Sequence, residues 1–306
     1  VEPLLVITNS GAGTAAEENL EQALSVLRAS ASVEVAETDG PGELDGVLHR
    51  AGSRRIVVAG GDGSLHAVVS ALYRRNELHG STLGILPLGT GNDFARHAGI
   101  PLEPADAARV VLAGHGRPTD LIVDEVGEVV VNNVHVGAGA QASRRGDRWK
   151  KRLGVIGVGK VNLGKLGYPI GAALAAFKPP FLRLHVEVDG VTVNDLDEPA
   201  LMVAVGNGAT VGGGTSLTPA ADAADGKVDV MVSRAIGPLA RFGYVADLVR
   251  RRHTDREDVV YRRGTRVTIS GEEFYCSADG EIYGPERSRS WRVEPAAYTL
   301  LVPAHA

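Results

Sequence analysis

A lone cysteine, Cys276, stands among the 306 residues, so no disulfide can close within the chain. That usage is compatible with a reducing compartment without demanding one. Basic residues are not in excess either. The formal net charge is −5 and the isoelectric point about 6.0, whereas a general nucleic-acid binder carries a basic balance, so no nucleic-acid partner is expected. A long uninterrupted apolar run is also missing. The best stretch, Leu153 to Phe177, is broken by Lys160 and Lys165, and a membrane span takes about 20 mostly apolar residues. The start, Val1-Glu2-Pro3 leading into Leu4-Leu5-Val6-Ile7, lacks the basic region, apolar core and cleavage site of a secretory leader. A cytoplasmic location is therefore expected.

Glycine is what the chain has in plenty: 39 residues, against an ordinary share of about 7%. Such an excess signals tight turns or backbone that approaches a ligand closely. Hydrophobic residues at 44% and charged residues at 23% fit a globular protein, and the length predicts two domains.

In the first hundred residues short apolar runs alternate with helical stretches. Leu4–Thr8, Ser32–Glu37, Arg55–Ala59 and Thr82–Leu86 read as strands; Ala15–Arg28, Gly42–Ala51, Ser64–Arg74, Asn92–Ala98 and Ala105–Leu112 read as helices. This alternation predicts an α/β domain on a parallel sheet. After about Arg117 the pattern turns to short strands, from Leu121–Asp124 and Val129–Val134 to Val267–Ser270 and Tyr298–Val302. Asp189-Gly190 between two apolar runs signals a hairpin. Only Lys150–Phe177 and Pro238–Arg251 look helical there. The expected division is an α/β domain over 1–128 and a mostly antiparallel β domain over 129–306, with the last strand free to return to the first domain.

Two loops carry the chemistry. Val57-Val58-Ala59 runs into Gly60-Gly61-Asp62-Gly63-Ser64-Leu65, a strand, a glycine turn and a helix. Glycines let a phosphate near backbone N–H groups, and the helix start directs its own donors there. Ser64 can cap the helix or bind phosphate. Asp62, a carboxylate in an anion-binding loop, makes sense as a Mg²⁺ ligand, a proton acceptor or a loop organiser. The plain alternative is a tight turn with Asp at a helix start. The second loop, Gly89-Thr90-Gly91-Asn92-Asp93 after Leu86-Pro87-Leu88, repeats the arrangement. Neither loop is a Walker sequence or a dinucleotide fingerprint. In an open α/β sheet both would fall at the carboxyl ends of the strands, where ligands bind.

Together these loops resemble the diacylglycerol kinase catalytic-domain family, which includes bacterial lipid kinases and sphingosine kinases. The resemblance continues through Asn9-Ser10-Gly11-Ala12-Gly13, Asp120-Leu121, Asn133 through Gly137, Gly206-Asn207-Gly208, Gly212-Gly213-Gly214, Asp225 through Val230, Ala278-Asp279-Gly280-Glu281 and Val302-Pro303. The related NAD kinases share the first glycine loop, but Gly89 through Arg96 is similar to the lipid-kinase branch. The resemblance implies ATP and Mg²⁺ as cofactors. It implies nucleotide contacts at Asn9, Ser10, Gly11, Ala12, Gly13, Thr38, Gly60, Gly61, Asp62, Gly63, Ser64, Leu65, His66, Ala67, Gly89, Thr90, Asn92 and Asp93. It implies Glu281 as proton acceptor with Asp279 beside it and Asp62 as a third catalytic acid. Asp279 and Glu281, two apart on an extended segment, would face one way. The alternative for Asp279-Gly280-Glu281 is a hairpin turn. Asp222, Asp225 and Lys227 match a second metal site of bacterial members, Lys227 through its carbonyl only; a solvated acidic loop is the alternative there. Where the family has Leu-Asn-Glu this chain has Leu65-His66-Ala67, so that Glu's contact is missing.

The implied activity is transfer of the γ-phosphoryl of ATP to a lipid hydroxyl, diacylglycerol by default, within phospholipid biosynthesis. A sphingoid base or another lipid alcohol is the alternative acceptor. A catalytically silent nucleotide- or lipid-binding regulator is the rival from another class. A lipid must be met at the membrane surface, and the segment 144–183 offers Arg144, Arg145, Arg148, Lys150, Lys151, Arg152, Lys160, Lys165, Lys178 and Arg183 against the single acid Asp147. Such an island is expected to touch the anionic inner face of the membrane.

Overall fold

In the computed structural model the described residues are 2–9, 14–138, 140 and 181–304. The nucleotide-loop positions Ser10, Gly11, Ala12 and Gly13 lie outside them, as does the basic segment apart from residues 181–183. The chain divides into two units, Val1–Leu121 with Glu294–Ala306, and Ile122–Val293.

The first unit follows from four apolar runs. Strands β1 (Leu4–Asn9), β2 (Val33–Thr38), β3 (Arg55–Gly60) and β4 (Thr82–Pro87) alternate with helices α1 (Thr14–Arg28), α2 (Pro41–His49) and α3 (Asp62–Arg74). The strands pair in parallel in the order β2-β1-β3-β4. Leu4 to Val6 and Val57 to Ala59 are buried without alternation, as in a sheet covered on both faces. Helices α4 (Asp93–His97) and α5 (Pro104–Ala113) complete the unit. α5 is started by Pro104 at its first turn and by the Glu103 carboxylate, which accepts from Asp106 N at 2.8 Å.

Strand β5 (His115–Asp124) leads into the second unit, which contains β6 (Val129–Val130), β7 (Asn133–Gly137), β8 (Leu184–Val188), β9 (Val191–Asn194), β10 (Met202–Gly206), β11 (Thr210–Val211), β12 (Thr215–Ser216), β13 (Val228–Ser233), α6 (Pro238–Val249), β14 (Val259–Gly264) and β15 (Arg266–Ala278). All pairings here are antiparallel, in the order β14-β13-β10-β7-β15 with β8 and β9 branching from β15. Asp189 and Gly190, both at positive φ, form the expected β8–β9 hairpin. β10 shows how the core is shared. Val203 and Val205 join one apolar cluster with Val134, Val136, Ile269 and Trp291, while Met202 and Ala204 join another with Tyr244 and Leu248 of α6; successive strand side chains point to opposite faces. The last strand, β16 (Glu281–Val302), begins against β15 and ends in the first unit, where Thr299 and Leu300 pair in parallel with Thr82 and Leu83. The fold is therefore an α/β domain on parallel strands plus an antiparallel β domain, as the sequence pattern predicts.

Candidate functional site

The described nucleotide-loop residues line one edge of the parallel sheet. Register pairs Asn9 with Thr38 at the ends of β1 and β2, Thr8 with Ala59, and Gly60 with Pro87 at the ends of β3 and β4. Thr38 Oγ1 donates to Thr8 O at 3.3 Å, which ties the first two ends. This is the carboxyl edge, where ligands of open α/β sheets sit.

At that edge the two glycine loops are joined backbone to backbone. A Cβ added to Gly89 would stand 2.4 Å from Gly61 Cα, and one added to Gly60 would stand 2.3 Å from Ser64 Oγ. Asn92, buried and left-handed at φ 52°, accepts from Gly89 N at 3.0 Å and donates to Gly89 O at 2.7 Å. Asp62 opens α3 but spends its carboxylate on α4: it accepts from Asp93 N and Phe94 N, each at 3.0 Å. The loop-organising role, one of the three open to Asp62, is thus the one the geometry displays. Its oxygens retain further lone pairs. Three details bear on these loops. A Cβ added to Gly60, Gly61 or Gly89 would meet protein atoms, which gives these glycines a packing role besides any approach of phosphate; Gly63 alone of the four has nothing within 4 Å of an added Cβ. The first donors of α4 serve Asp62 and are not offered to a ligand. Leu65 turns its side chain into the core at 3% exposure, so only its backbone faces the loop. Thr90 and Ala67 are exposed, and His66 Nε2 lies 3.3 Å from Ser70 Oγ.

The second unit carries the acidic turn. Asp279 and Gly280 are both at positive φ and join β15 to β16 through the pair Ala278 and Glu281. The segment is a two-residue hairpin turn and not extended, so the two carboxylates do not share a direction. Asp279 accepts from Val131 N, Asn132 N and Asn133 N at 2.6, 2.9 and 3.1 Å, and its own N donates to Asn133 O. It anchors the hairpin to the start of β7. Glu281 is exposed, and its carboxylate accepts from Tyr283 Oη at 2.9 Å. Burial and the Glu281 charge both push the Tyr283 phenol up, so it remains a donor. Around Asp279 the asparagines close a buried polar layer. Asn132 and Asn133 donate to Thr210 O at 2.8 and 3.2 Å, and Asn207 donates to Val131 O at 2.8 Å. His135, in register with Ser277, is buried; loss of solvation lowers its pKa to about 4, against the pull of the Asp279 charge.

Residues 3–123 match the diacylglycerol kinase catalytic domain model, and residues 132–302 match the YegS C-terminal NAD kinase beta sandwich-like domain model. The chain belongs to the diacylglycerol kinase catalytic-domain family. Within this lipid-kinase family it is 30% identical to a probable lipid kinase YegS-like from Xanthomonas campestris pv. campestris over 92% of this chain and 90% of that one. It is 31% identical to the diacylglycerol kinase of Bacillus subtilis over 75% and 71% of the two chains. The crystal structure of a putative diacylglycerol kinase from Bacillus anthracis str. Sterne shares the fold, with a TM-score of 0.80 at 24% identity across 99% and 98% of the chains.

Kinases of this family imply ATP and commonly a divalent metal, which makes the Asp222–Lys227 loop worth testing. Asp225 Oδ1 accepts from Lys227 N at 3.0 Å, its Oδ2 is ion-paired with Arg263, and Asp222 Oδ1 accepts from Ala224 N at 3.1 Å. Arg263 also reaches the buried Asp229 at 3.3 Å. The Asp225 carboxylate is thus already engaged by a guanidinium, and Asp222 is turned to the backbone of its own loop, so these side chains do not come together as a divalent site here. Among the described residues no three His, Cys, Asp or Glu side chains gather as a metal would require.

Sequence reasoning missed the support behind Glu281. The Arg289 guanidinium stands 4.8 Å from the Tyr283 ring centroid and is ion-paired with the buried Asp124. Arg263 and Asn132 were also missed. A charged residue at alternate inward positions of a strand would have been the signal, as Arg289 is between the exposed Ser288 and the half-buried Ser290.

Proposed function

We propose that this lipid kinase transfers the γ-phosphoryl of ATP to the hydroxyl of diacylglycerol. The observation that carries the reading is the row of Asn9, Thr38, Gly60 and Pro87 along one sheet edge, with the first glycine loop tied to the second by Asp62 and the second braced by Asn92. Such an edge presents backbone donors to phosphates. Mg²⁺ arrives as the counter-ion of ATP and so belongs to the substrate. Phosphoryl transfer asks mainly for positioning and charge stabilisation. Glu281 accepts the proton that the lipid hydroxyl loses on attack, and Tyr283 fixes the carboxylate for that task. Asp279 acts through the backbone it anchors. The enzyme meets its substrate at the anionic inner face of the membrane, in phospholipid biosynthesis.

The test is transfer of labelled γ-phosphate to a panel of lipid alcohols in mixed micelles, with NAD alongside. Label on diacylglycerol is expected. Label confined to a sphingoid base would move the acceptor within the same chemistry; label on NAD, or on nothing, would overturn the reading.

A further inference from the structure

Helix α6 has two apolar faces and packs with one of them. Tyr244 and Leu248 are buried in a cluster with Met202, Ala204 and Met231. Leu239, Phe242 and Val249 are 87%, 60% and 70% exposed. At 100° per residue these three fall within an arc of about 80°, roughly opposite Tyr244 and Leu248. Scattered exposed leucines need no account, but a stripe of three large apolar side chains on one helix marks a surface that is covered in use.

The charge around the stripe selects what covers it. Arg250, Arg251 and Arg252 follow the helix directly, and all are exposed. The one acid of the helix, Asp247, is already paired with Arg256 at 2.9 Å. Arg250 and Arg251, with Arg252 standing 3.9 Å from Asp255, therefore rim an apolar stripe in a chain of net charge −5. That combination, apolar residues to enter the acyl boundary and guanidinium groups for the phosphates, fits an interfacial helix. No helix among the described residues is long and apolar enough to cross a membrane.

We propose that α6 is the element by which the protein docks on an anionic lipid bilayer, with Leu239, Phe242 and Val249 inserted and Arg250 to Arg252 at the headgroups. The proposal rests on the lipid-kinase reading, which brings the enzyme to a bilayer. It adds a second contact to the one expected of the basic segment, at a different place in the sequence.

The experiment is sedimentation of the full chain with vesicles of phosphatidylglycerol and phosphatidylcholine, without ATP. The variant Leu239→Ser/Phe242→Ser/Val249→Ser is expected to bind at least tenfold more weakly, with an unchanged melting temperature because the side chains are exposed. Each arginine near an anionic leaflet strengthens adsorption by about fivefold, so Arg250→Gln/Arg251→Gln/Arg252→Gln should lose tenfold or more and should show a shallower salt dependence than the wild type. Both variants should still phosphorylate detergent-dispersed lipid at the wild-type rate. Vesicle binding that is the same in the stripe variant as in the wild type overturns the proposal, as does a stripe variant that changes only its oligomeric state, since the cover would then be a second copy. Vesicle binding through α6 with no lipid phosphorylated would support the docking surface while removing the kinase reading.

Discussion

Asp279 and Glu281 are separated by one glycine and do different work. Asp279 holds three backbone N–H groups, and an amide in its place can accept at one oxygen only, turning an NH₂ toward donors. Asp279→Asn should therefore lower stability by about 2 kcal/mol, the scale of a buried hydrogen bond lost from a charged acceptor, read by urea unfolding. Glu281 is exposed and holds only the Tyr283 hydroxyl among the described contacts. Glu281→Gln should leave stability and ATP affinity near wild type and cut transfer about a hundredfold, the scale of general-base removal. Tyr283→Phe should cost about tenfold in kcat, the equivalent of one hydrogen bond to a charged group, with KM for ATP unchanged. A Glu281→Gln enzyme at full activity would remove Glu281 from the chemistry. Their division of labour is not legible in the sequence, because it depends on Asn132 and Asn133, some 146 residues away along the chain.

At the scale of elements, the pattern was legible wherever strands are buried on both faces. β1, β3 and β4 centre on the short apolar stretches Leu4 to Ile7, Ile56 to Ala59 and Leu83 to Leu86. β16 was not. Its 22 residues were read only from Tyr298, because Glu286 to Arg292 holds four charged side chains and the inward position at Arg289 is filled by an ion, not an aliphatic. β14 was missed for the same reason, its Tyr261-Arg262-Arg263 lying beside Asp229 and Asp225. The glycine loops were found, yet their glycines answer to packing between elements. That distinction is measurable. Gly89→Ala must push backbone against backbone, and a loss of about 1–3 kcal/mol is expected from such overpacking, with weakened ATP binding as the loops part. Gly63→Ala meets open space. It should keep or slightly raise stability, and a several-fold rise in KM for ATP would show that phosphate approaches the backbone there. Normal melting of Gly89→Ala would mean that the loops can separate without cost.

For the molecule as a whole, two buried imidazoles couple stability to acid. Burial is the main cause that lowers the pKa of both: His135 to about 4, and His253 in the same direction, where the backbone bond to Leu217 O at 3.0 Å opposes the shift. An unfolded histidine takes up its proton near 6.5. Between that value and about 4 the unfolded chain binds a proton at position 135 that the folded chain refuses, so stability rises with pH across this window and is lost as pH falls. A gap of this size corresponds to on the order of 3 kcal/mol by pH 4. Over the interval from pH 7 to 5.5 the buried Asp229, pushed up to about 6 by loss of solvation, takes up its proton in the folded chain and works in the opposite direction, so the histidine contribution is read as a difference between variants. Urea unfolding across that interval should show a decline in the wild type. His135→Asn keeps a polar side chain beside Ser277 and carries no proton to refuse, so its decline should be shallower, with His253→Asn removing most of what is left. A His135→Asn variant whose stability changes from pH 7 to 5.5 as the wild type's does, with the chain still folded at both ends, would show that this imidazole holds no such lever.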